Sequence, residues 1–469
     1  MNNNNIFNNI KKVYFIGIGG SGMFPLAQIL KSWGIEISGS DTYESDTLQK
    51  VRALGITVNT NHDSKNIINQ NYDLIIYSAA INNNNPELKY ARENNIKTLE
   101  RRELLGLIFN TFENSIAVSG THGKTTTTSM ISTILLDANT DPTCVIGGTL
   151  PRLNSNAHTG KSNIIISEAC EFANSFLTMN PRFSVITNID NDHLDFFKTF
   201  DNLKKSFEKF ASQTSDVLFV NTDNIHTKEL SEKIKNNIKI ISFGLDKNRD
   251  FYADNINFDQ NQCASFDIIN NNKILCNIKL QVPGKYNIYN SLATFCVAYN
   301  SNLNININII KESLENFTGV HRRFEVLAKI TDKNITVIDD FAHHPEEIKN
   351  ILETAKKIKT HKRLWAIFQP HTYSRTYNLL DDFAQVLSIA DKIIISEILA
   401  VREENIYNIH ATDLTKKLQN SVYIPSFEGI SEYITNNIQP GDMIVTLGGG
   451  NIYKLANTIS NKLKATPRI

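Results

Sequence analysis

Gly120-Thr121-His122-Gly123-Lys124-Thr125-Thr126 gathers two glycines, a lysine and hydroxyl side chains between the apolar run Ile116-Ala117-Val118 and a helical stretch from Thr125 to Leu136. A glycine turn from strand to helix aims backbone N–H groups at one point, and the helix N-terminus adds positive potential there. In such a loop Lys124 reaches toward the β and γ phosphates of a nucleoside triphosphate, and Thr125 offers its hydroxyl to Mg²⁺. The loop is shorter than G-x-x-x-x-G-K-[ST], yet it is costly to keep without a ligand, so ATP is the expected energy source. Glu168 ends the apolar run Ile164-Ile165-Ile166 and His193 follows Val185 to Asp192, which places a carboxylate and an imidazole at strand ends suited to hold that metal. The bland alternative is a solvated Glu168–Glu171 pair and a capping or core histidine.

A second phosphate-type loop, Gly17-Ile18-Gly19-Gly20-Ser21-Gly22, lies between a predicted strand and helix, with Asp41 closing the next strand. That is the G-x-G-x-x-G context, in which a pyrophosphate rests on the helix N-terminus and the acid accepts from a ribose hydroxyl. Taken by itself the loop favours a dinucleotide such as NAD over another nucleotide or a merely structural turn. Two further clusters, Asp339-Asp340-Phe341-Ala342-His343-His344-Pro345 and His371-Thr372-Tyr373-Ser374-Arg375, follow buried strands, where the ligands of an open α/β sheet bind. Adjacent histidines point apart, which disfavours zinc. Gly448-Gly449-Gly450 is another turn open to close backbone approach, the flexible loop being its alternative.

The elements that must position these groups follow from apolar rhythm. Val13 to Ile18, Ile35 to Ser38 and Leu74 to Tyr77 alternate with helical segments, a βαβ pattern with a parallel sheet. Met23, Leu26, Ala27 and Leu30 form one helical face, with Pro25 in the first turn and Gly34 at the stop. Strand-like runs resume at 116–118, 164–166, 185–186 and 217–220. From Phe251 to Val282 short alternating runs without helices between them predict an antiparallel appendage. A third α/β unit carries strands at 335–338, 364–368, 393–395 and 443–447. The 469 residues exceed one ordinary domain, and boundaries are expected near 112 and 320.

With 48 basic and 48 acidic residues the chain has no net field to recruit nucleic acid or an anionic membrane. The start, Met1 to Asn5, has neither the basic opening nor the apolar stretch of a signal peptide, and no run is long enough to span a bilayer. A cytoplasmic enzyme is expected. Cys144, Cys170, Cys263, Cys276 and Cys296 are scattered and odd in number, so they read as buried small apolar residues rather than a disulfide or zinc framework.

In combination the motifs resemble the Mur ligase family, ATP-dependent amide-forming ligases of peptidoglycan synthesis. The resemblance spans the whole chain. It runs through Phe15 to Met23, Gly120 to Thr126, Glu168-Ala169-Cys170-Glu171, Thr187-Asn188 to Asp195, Pro283 to Asn290, Arg322-Arg323-Phe324-Glu325, Asp340 to Pro345 and Phe368-Gln369-Pro370-His371. It implies an α/β fold of three domains: an N-terminal Rossmann-like UDP-binding domain (1–112), a central P-loop ATPase-type parallel-sheet domain with a small antiparallel appendage (113–320), and a C-terminal Rossmann-like amino-acid-binding domain (321–469).

The implied activity is ligation of L-alanine to UDP-N-acetylmuramate through an acyl phosphate, with ATP and Mg²⁺. The implied roles are UDP-sugar binding by Gly17, Gly19, Gly20, Ser21, Gly22 and Asp41, which replaces the NAD reading. ATP binding falls to Gly120, Thr121, His122, Gly123, Lys124, Thr125, Thr126, Asn287, Asn290, Arg323 and Asp340. Metal binding falls to Thr125, Glu168 and His193, and amino-acid binding to His343, His371 and Arg375. Lys124, His193, Arg323, Asp340, His343 and His344 are the implied catalytic set. No nucleic-acid or membrane partner is expected, and the chain is a monomer or homodimer.

Two positions depart from the family: Cys170 where members often carry aspartate, and Asn451 where an acid often follows the glycine turn. Lys204, Lys205 and Lys209 read as surface lysines of an amphipathic segment. The rivals are a ligase attaching a recycled tripeptide to the same sugar nucleotide, a nucleotide-binding regulator without catalysis, and an NAD-dependent oxidoreductase.

Overall fold

Near-continuous apolar runs bounded by glycine turns form the interior strands, as expected when both faces of a parallel sheet are covered by helices. The computed structural model describes residues 7–401 and 403–465; the asparagine-rich start and the side chains of Leu194 and Asp195 lie outside the described residues. The first sheet runs in the order Thr57–Asn59, Glu36–Ser40, Lys12–Ile16, Leu74–Tyr77, Thr98–Glu100 and is parallel throughout. Helix Phe24–Ser32 covers it with Leu26, Ala27 and Leu30 fully buried.

The second sheet is centred on Asn114–Ser119, which pairs in parallel with Ile164–Glu168 on one side and Phe183–Ile186 on the other. Val217–Asn221 and Lys239–Gly244 continue it in parallel, and Thr143–Leu150 with its antiparallel partner Ser155–His158 closes the far edge. Phe251–Phe258, Cys263–Asn270 and Lys273–Pro283 follow one another in the sheet order. Links this short preclude the crossover that parallel neighbours need, so this is the antiparallel appendage. The third sheet runs Glu325–Ile330, Ile335–Asp340, Asp442–Leu447, Arg363–Phe368, Lys392–Ile395, Ser421–Tyr423, with only the first pair antiparallel.

The described chain divides into two compact units, one running to Ala253 with Ile268–Cys276 and Tyr289–Leu314, the other comprising Asp254–Asp267, Asn277–Ile288 and the chain from Glu315 on. In the first, Phe15, Leu30, Ile108, Phe176, Phe207 and Leu218 belong to one continuous core. In the second, the Ile335–Asp340 strand sends Ile338 into one core layer and Val337 into another, so the sheet is packed on both faces. Helix Pro345–Lys357 starts with proline, carries Glu346 and Glu347 in its first turn and Lys356 and Lys357 in its last, matching the helix dipole. The cysteines correct the sequence expectation in part. Cys144 and Cys296 are buried, but Cys170, Cys263 and Cys276 are only partly buried. Among the described residues no helix is long and apolar enough to cross a membrane.

Candidate active site

The Gly120–Thr126 loop leaves the central strand of the second sheet and opens helix Lys124–Asp137. Gly120 (φ +134°) and Gly123 (φ +85°) adopt conformations that side chains disfavour, and a Cβ on Gly120 would lie 2.1 Å from Thr187 Oγ1. Thr187 and Asn188 pin the loop from the neighbouring strand end. The Thr121 N–H donates to the Asn188 carbonyl (3.0 Å), the His122 N–H to Asn188 Oδ1 (2.8 Å), and Thr187 Oγ1 to the His122 carbonyl (2.6 Å). Asn290 joins the same place, accepting from Thr127 Oγ1 at 3.2 Å. Asn287, on the same helix Tyr286–Asn300, is buried and donates to the Pro283 carbonyl at 2.8 Å.

Lys124 folds back over its own loop. Its ammonium donates to the carbonyls of Gly120 and Thr121 and pairs with Glu171 at 3.0 Å. Burial pulls its pKa down, but Glu171, then Cys170 and Glu168, outweigh this and hold it above the ordinary lysine value. Glu171, one arm of the solvated pair in the bland reading, is instead almost fully buried as the lysine's counterion. Glu168 turns to Thr125, whose hydroxyl donates to Oε2 at 2.8 Å, while the Gly147 N–H donates to the same oxygen at 3.1 Å. His193 lies 3.9 Å from Glu171 Oε1 and 4.9 Å, ring to ring, from Phe172. Cys170 is pushed up to about 12, first by burial and then by Glu171, which leaves a neutral thiol between the two glutamates of this segment.

At the first glycine loop the N–H groups of Gly17 and Ile18 both donate to the Ser40 carbonyl, and Gly19 N–H donates to Asp41 Oδ2 at 2.9 Å. Asp41 Oδ1 accepts from the Tyr43 N–H at 3.1 Å. Asp41 thus braces the glycine loop with Oδ2 and its own turn with Oδ1, although a carboxylate keeps lone pairs for a hydroxyl as well. Arg101 lies against Gly22, and Asn156 of the edge hairpin donates to the Ser21 carbonyl at 2.8 Å.

In the second unit the third sheet gathers His343, His371 and the Gly448–Gly450 turn at the ends of neighbouring strands. The two imidazoles lie 5.4 Å apart, and His343 Nδ1 is 2.9 Å from the Phe341 carbonyl. His371 is pushed down to about 4 by burial, then by His343 and Arg375, so it is neutral at pH 7. His344 is buried at the N-cap position of helix Pro345–Lys357, so the adjacent histidines part as expected. Arg323 sits 5.4 Å from the Phe341 ring centre.

Asp340, only 3% exposed, accepts from the Phe324 N–H at 2.6 Å and the Ala342 N–H at 2.7 Å, one on each oxygen. Burial pushes its carboxyl up to about 6 against the opposing pull of Arg323 and those N–H groups. A carboxyl raised in the folded state contributes stability that is complete below its unfolded pKa of 3.8 and lost as the pH rises through 6, a swing on the order of 3 kcal/mol. Asp340→Asn is therefore expected to flatten the second unit's stability between pH 4 and 6. Urea midpoints at pH 4, 5, 6 and 7 test this, and parallel slopes for variant and wild type would refute it.

Three family models cover the chain: the Mur ligase family catalytic domain over residues 12–113, the Mur ligase middle domain over 118–298, and the Mur ligase glutamate ligase domain over 322–450. The chain belongs to the Mur ligase family. It is 43% identical over 453 residues to the UDP-N-acetylmuramate–L-alanine ligase of Acetivibrio thermocellus, covering 96% of this chain and 95% of that one. It is 44% identical over 451 residues to the enzyme of the same name from Clostridium tetani, covering 95% and 97%. Among solved structures it is similar to the UDP-N-acetylmuramate-alanine ligase MurC of Thermotoga maritima (TM-score 0.82, 27% identity, 97% and 99% covered). It shares the fold of a murein peptide ligase from Psychrobacter arcticus (TM-score 0.73, 23% identity, 98% and 100% covered).

In this Mur ligase the structure adds residues that the motifs did not single out for a role. Glu171 pairs with Lys124, Gly147 touches Glu168, Arg101 lies against Gly22, and Arg322 grips the Gly448–Gly450 turn. Glu171 and Arg322 stood inside quoted motifs without a task. For Gly147 the available signal was the Gly147-Gly148 pair after the run Thr143 to Ile146.

Proposed function

We propose that this Mur ligase joins the amine of L-alanine to the lactyl carboxylate of UDP-N-acetylmuramate, with ATP cleaved to ADP and phosphate. The observation that carries the reading is identity of 43–44% along nearly the whole chain to L-alanine ligases. The geometry supplies the chemistry. A carboxylate is a poor acylating agent and shares the sign of the triphosphate it must approach, so the loop N–H groups, the helix N-terminus and Lys124 must neutralise the phosphates. Attack of the lactyl oxygen on the γ-phosphorus forms the acyl phosphate as the bond to ADP breaks. The alanine nitrogen, as its neutral amine, then attacks the carbonyl carbon, phosphate leaves with the C–O bonding pair, and the nitrogen gives up one proton to the departing phosphate or to water.

Thr125 and Glu168 fit Mg²⁺. A hydroxyl and a carboxylate already meet at 2.8 Å, both are hard oxygen donors, and among the described residues no group of three His, Cys, Asp or Glu forms a closed metal cage. Such an open pair suits an ion that takes its remaining ligands from phosphates and water. We assign His193 as a further ligand; the ion would supply charge neutralisation of the phosphates. We assign residues 1–112 to the UDP sugar, with Asp41 bracing its loop, 113–320 to ATP and 321–469 to the amino acid, which His343, His371 and Arg375 would receive. The enzyme acts in the cytoplasm, where ATP is supplied, as a monomer or homodimer.

Phosphate release from ATP with UDP-N-acetylmuramate tests the reading, comparing L-alanine, L-serine, glycine and a meso-diaminopimelate-containing tripeptide as acceptors. Release is expected to be strongest with L-alanine. Release only with the tripeptide would make this a recycling ligase, and ATP binding without release for any acceptor would make it a regulator.

A further inference from the structure

Arg322 adjoins Arg323 in one turn, yet its guanidinium is committed to the protein itself. Nε donates to Asp339 Oδ2 at 3.0 Å, Nη1 to the Gly450 carbonyl at 2.8 Å and Nη2 to the Gly448 carbonyl at 2.6 Å. The rings of Phe341 and Tyr453 lie 4.9 and 5.0 Å from its central carbon. Asp339 is fully buried, and its other oxygen accepts from Thr446 Oγ1 at 2.6 Å. A planar fork of fixed N–H groups satisfies a carboxylate and two carbonyls together, which a lysine ammonium does not reproduce.

The backbone shows how firmly the arrangement is held. Arg322 (φ +62°) and Phe324 (φ +46°) are both left-handed, a conformation that bulky residues keep only where the surroundings over-determine it. The Arg322 N–H donates to Glu325 Oε2 at 2.9 Å, and the Phe324 N–H to Asp340. The turn that Arg322 grips presents Gly449 to the histidines: a Cβ there would stand 3.2 Å from His371 Cδ2 and 3.4 Å from His343 Cγ. One guanidinium therefore fixes the glycine wall against which both imidazoles rest.

We propose that Arg322 is a positioning residue for the amino-acid substrate, holding the Gly448–Gly450 turn as the wall that sets the His343 and His371 rings. The proposal rests on the reading of those histidines as the amino-acid loops. The test uses the full-length enzyme as Arg322→Lys and Tyr453→Leu, with His371→Asn as a reference, measuring KM for L-alanine, ATP and UDP-N-acetylmuramate separately together with the melting temperature. Arg322→Lys is expected to raise KM for L-alanine at least tenfold and leave the other two within threefold. Tyr453→Leu, which keeps every charge, is expected to move the alanine KM the same way by a smaller factor and serves if the lysine variant does not fold.

If His371→Asn raises the alanine KM while both other variants change only the melting temperature, or raise the ATP KM equally, Arg322 is structural and the proposal is overturned. If His371→Asn leaves the alanine KM unchanged, the histidine reading itself fails and takes the proposal with it.

Discussion

Lys124→Ala is expected to abolish ligation and, in the same protein, to destabilise the first unit by about 3–5 kcal/mol, the usual consequence of leaving one partner of a buried ion pair alone. The motif alone predicts only the first effect, with normal folding. The structure adds the second, because the lysine and Glu171 side chains are 13% and 2% exposed and lie 3.0 Å apart. Turnover should fall by about 10²–10³ or more, the range for removing a preorganised charge from a developing anion. Lys124→Ala combined with Glu171→Gln separates the two roles: it should recover most of the lost stability and none of the phosphate release. Calorimetry of the first unit's transition and coupled phosphate release provide the readouts. A single variant that keeps a tenth of the activity, or one that melts with wild type, would defeat the assignment.

Gly147→Ala should inactivate the enzyme without unfolding it. Gly147 sits on the edge hairpin, exposed, with no unusual φ, so alanine suits the backbone there. Its new Cβ would lie 2.2 Å from Glu168 Oε2, however, and the N–H that holds that oxygen belongs to the same residue. The yielding atom is the end of a side chain, so the clash is relieved cheaply, by swinging the carboxylate away from Thr125. A drop in turnover of about 10²-fold is expected, with a raised Mg²⁺ requirement and a melting temperature within a few degrees of wild type. Glu168→Gln provides the comparison. Equal activity of Gly147→Ala and wild type at limiting Mg²⁺ would show that Glu168 has no such task.

Much of this was legible before folding. The runs Leu74 to Tyr77 and Leu364 to Phe368 read as buried parallel strands because both faces of such strands are apolar, and they are strands. The helix face of Leu26, Ala27 and Leu30 and the glycine loop ahead of Lys124 are local patterns, fixed by side-chain periodicity and by the conformations that glycine alone enters cheaply. The carboxylates were harder. Glu168 and Glu171 look alike in sequence, but one turns to Thr125 and the other is buried against Lys124. Asp41, a ribose acceptor by its sequence context, also braces the glycine loop through Gly19 and its own turn through Tyr43.

The sequence by itself determined the order of elements and the two glycine loops, since each rests on residues within a turn or two of one another. Only the tertiary structure decided which groups meet. Lys124 finds Glu171 across 47 residues, and Arg322 finds Gly450 across 128. The physical reason is that a parallel sheet sets strand ends side by side that are far apart in the chain. Charge pairing, burial and the narrow gaps at Gly147 and Gly449 exist only once those ends are aligned.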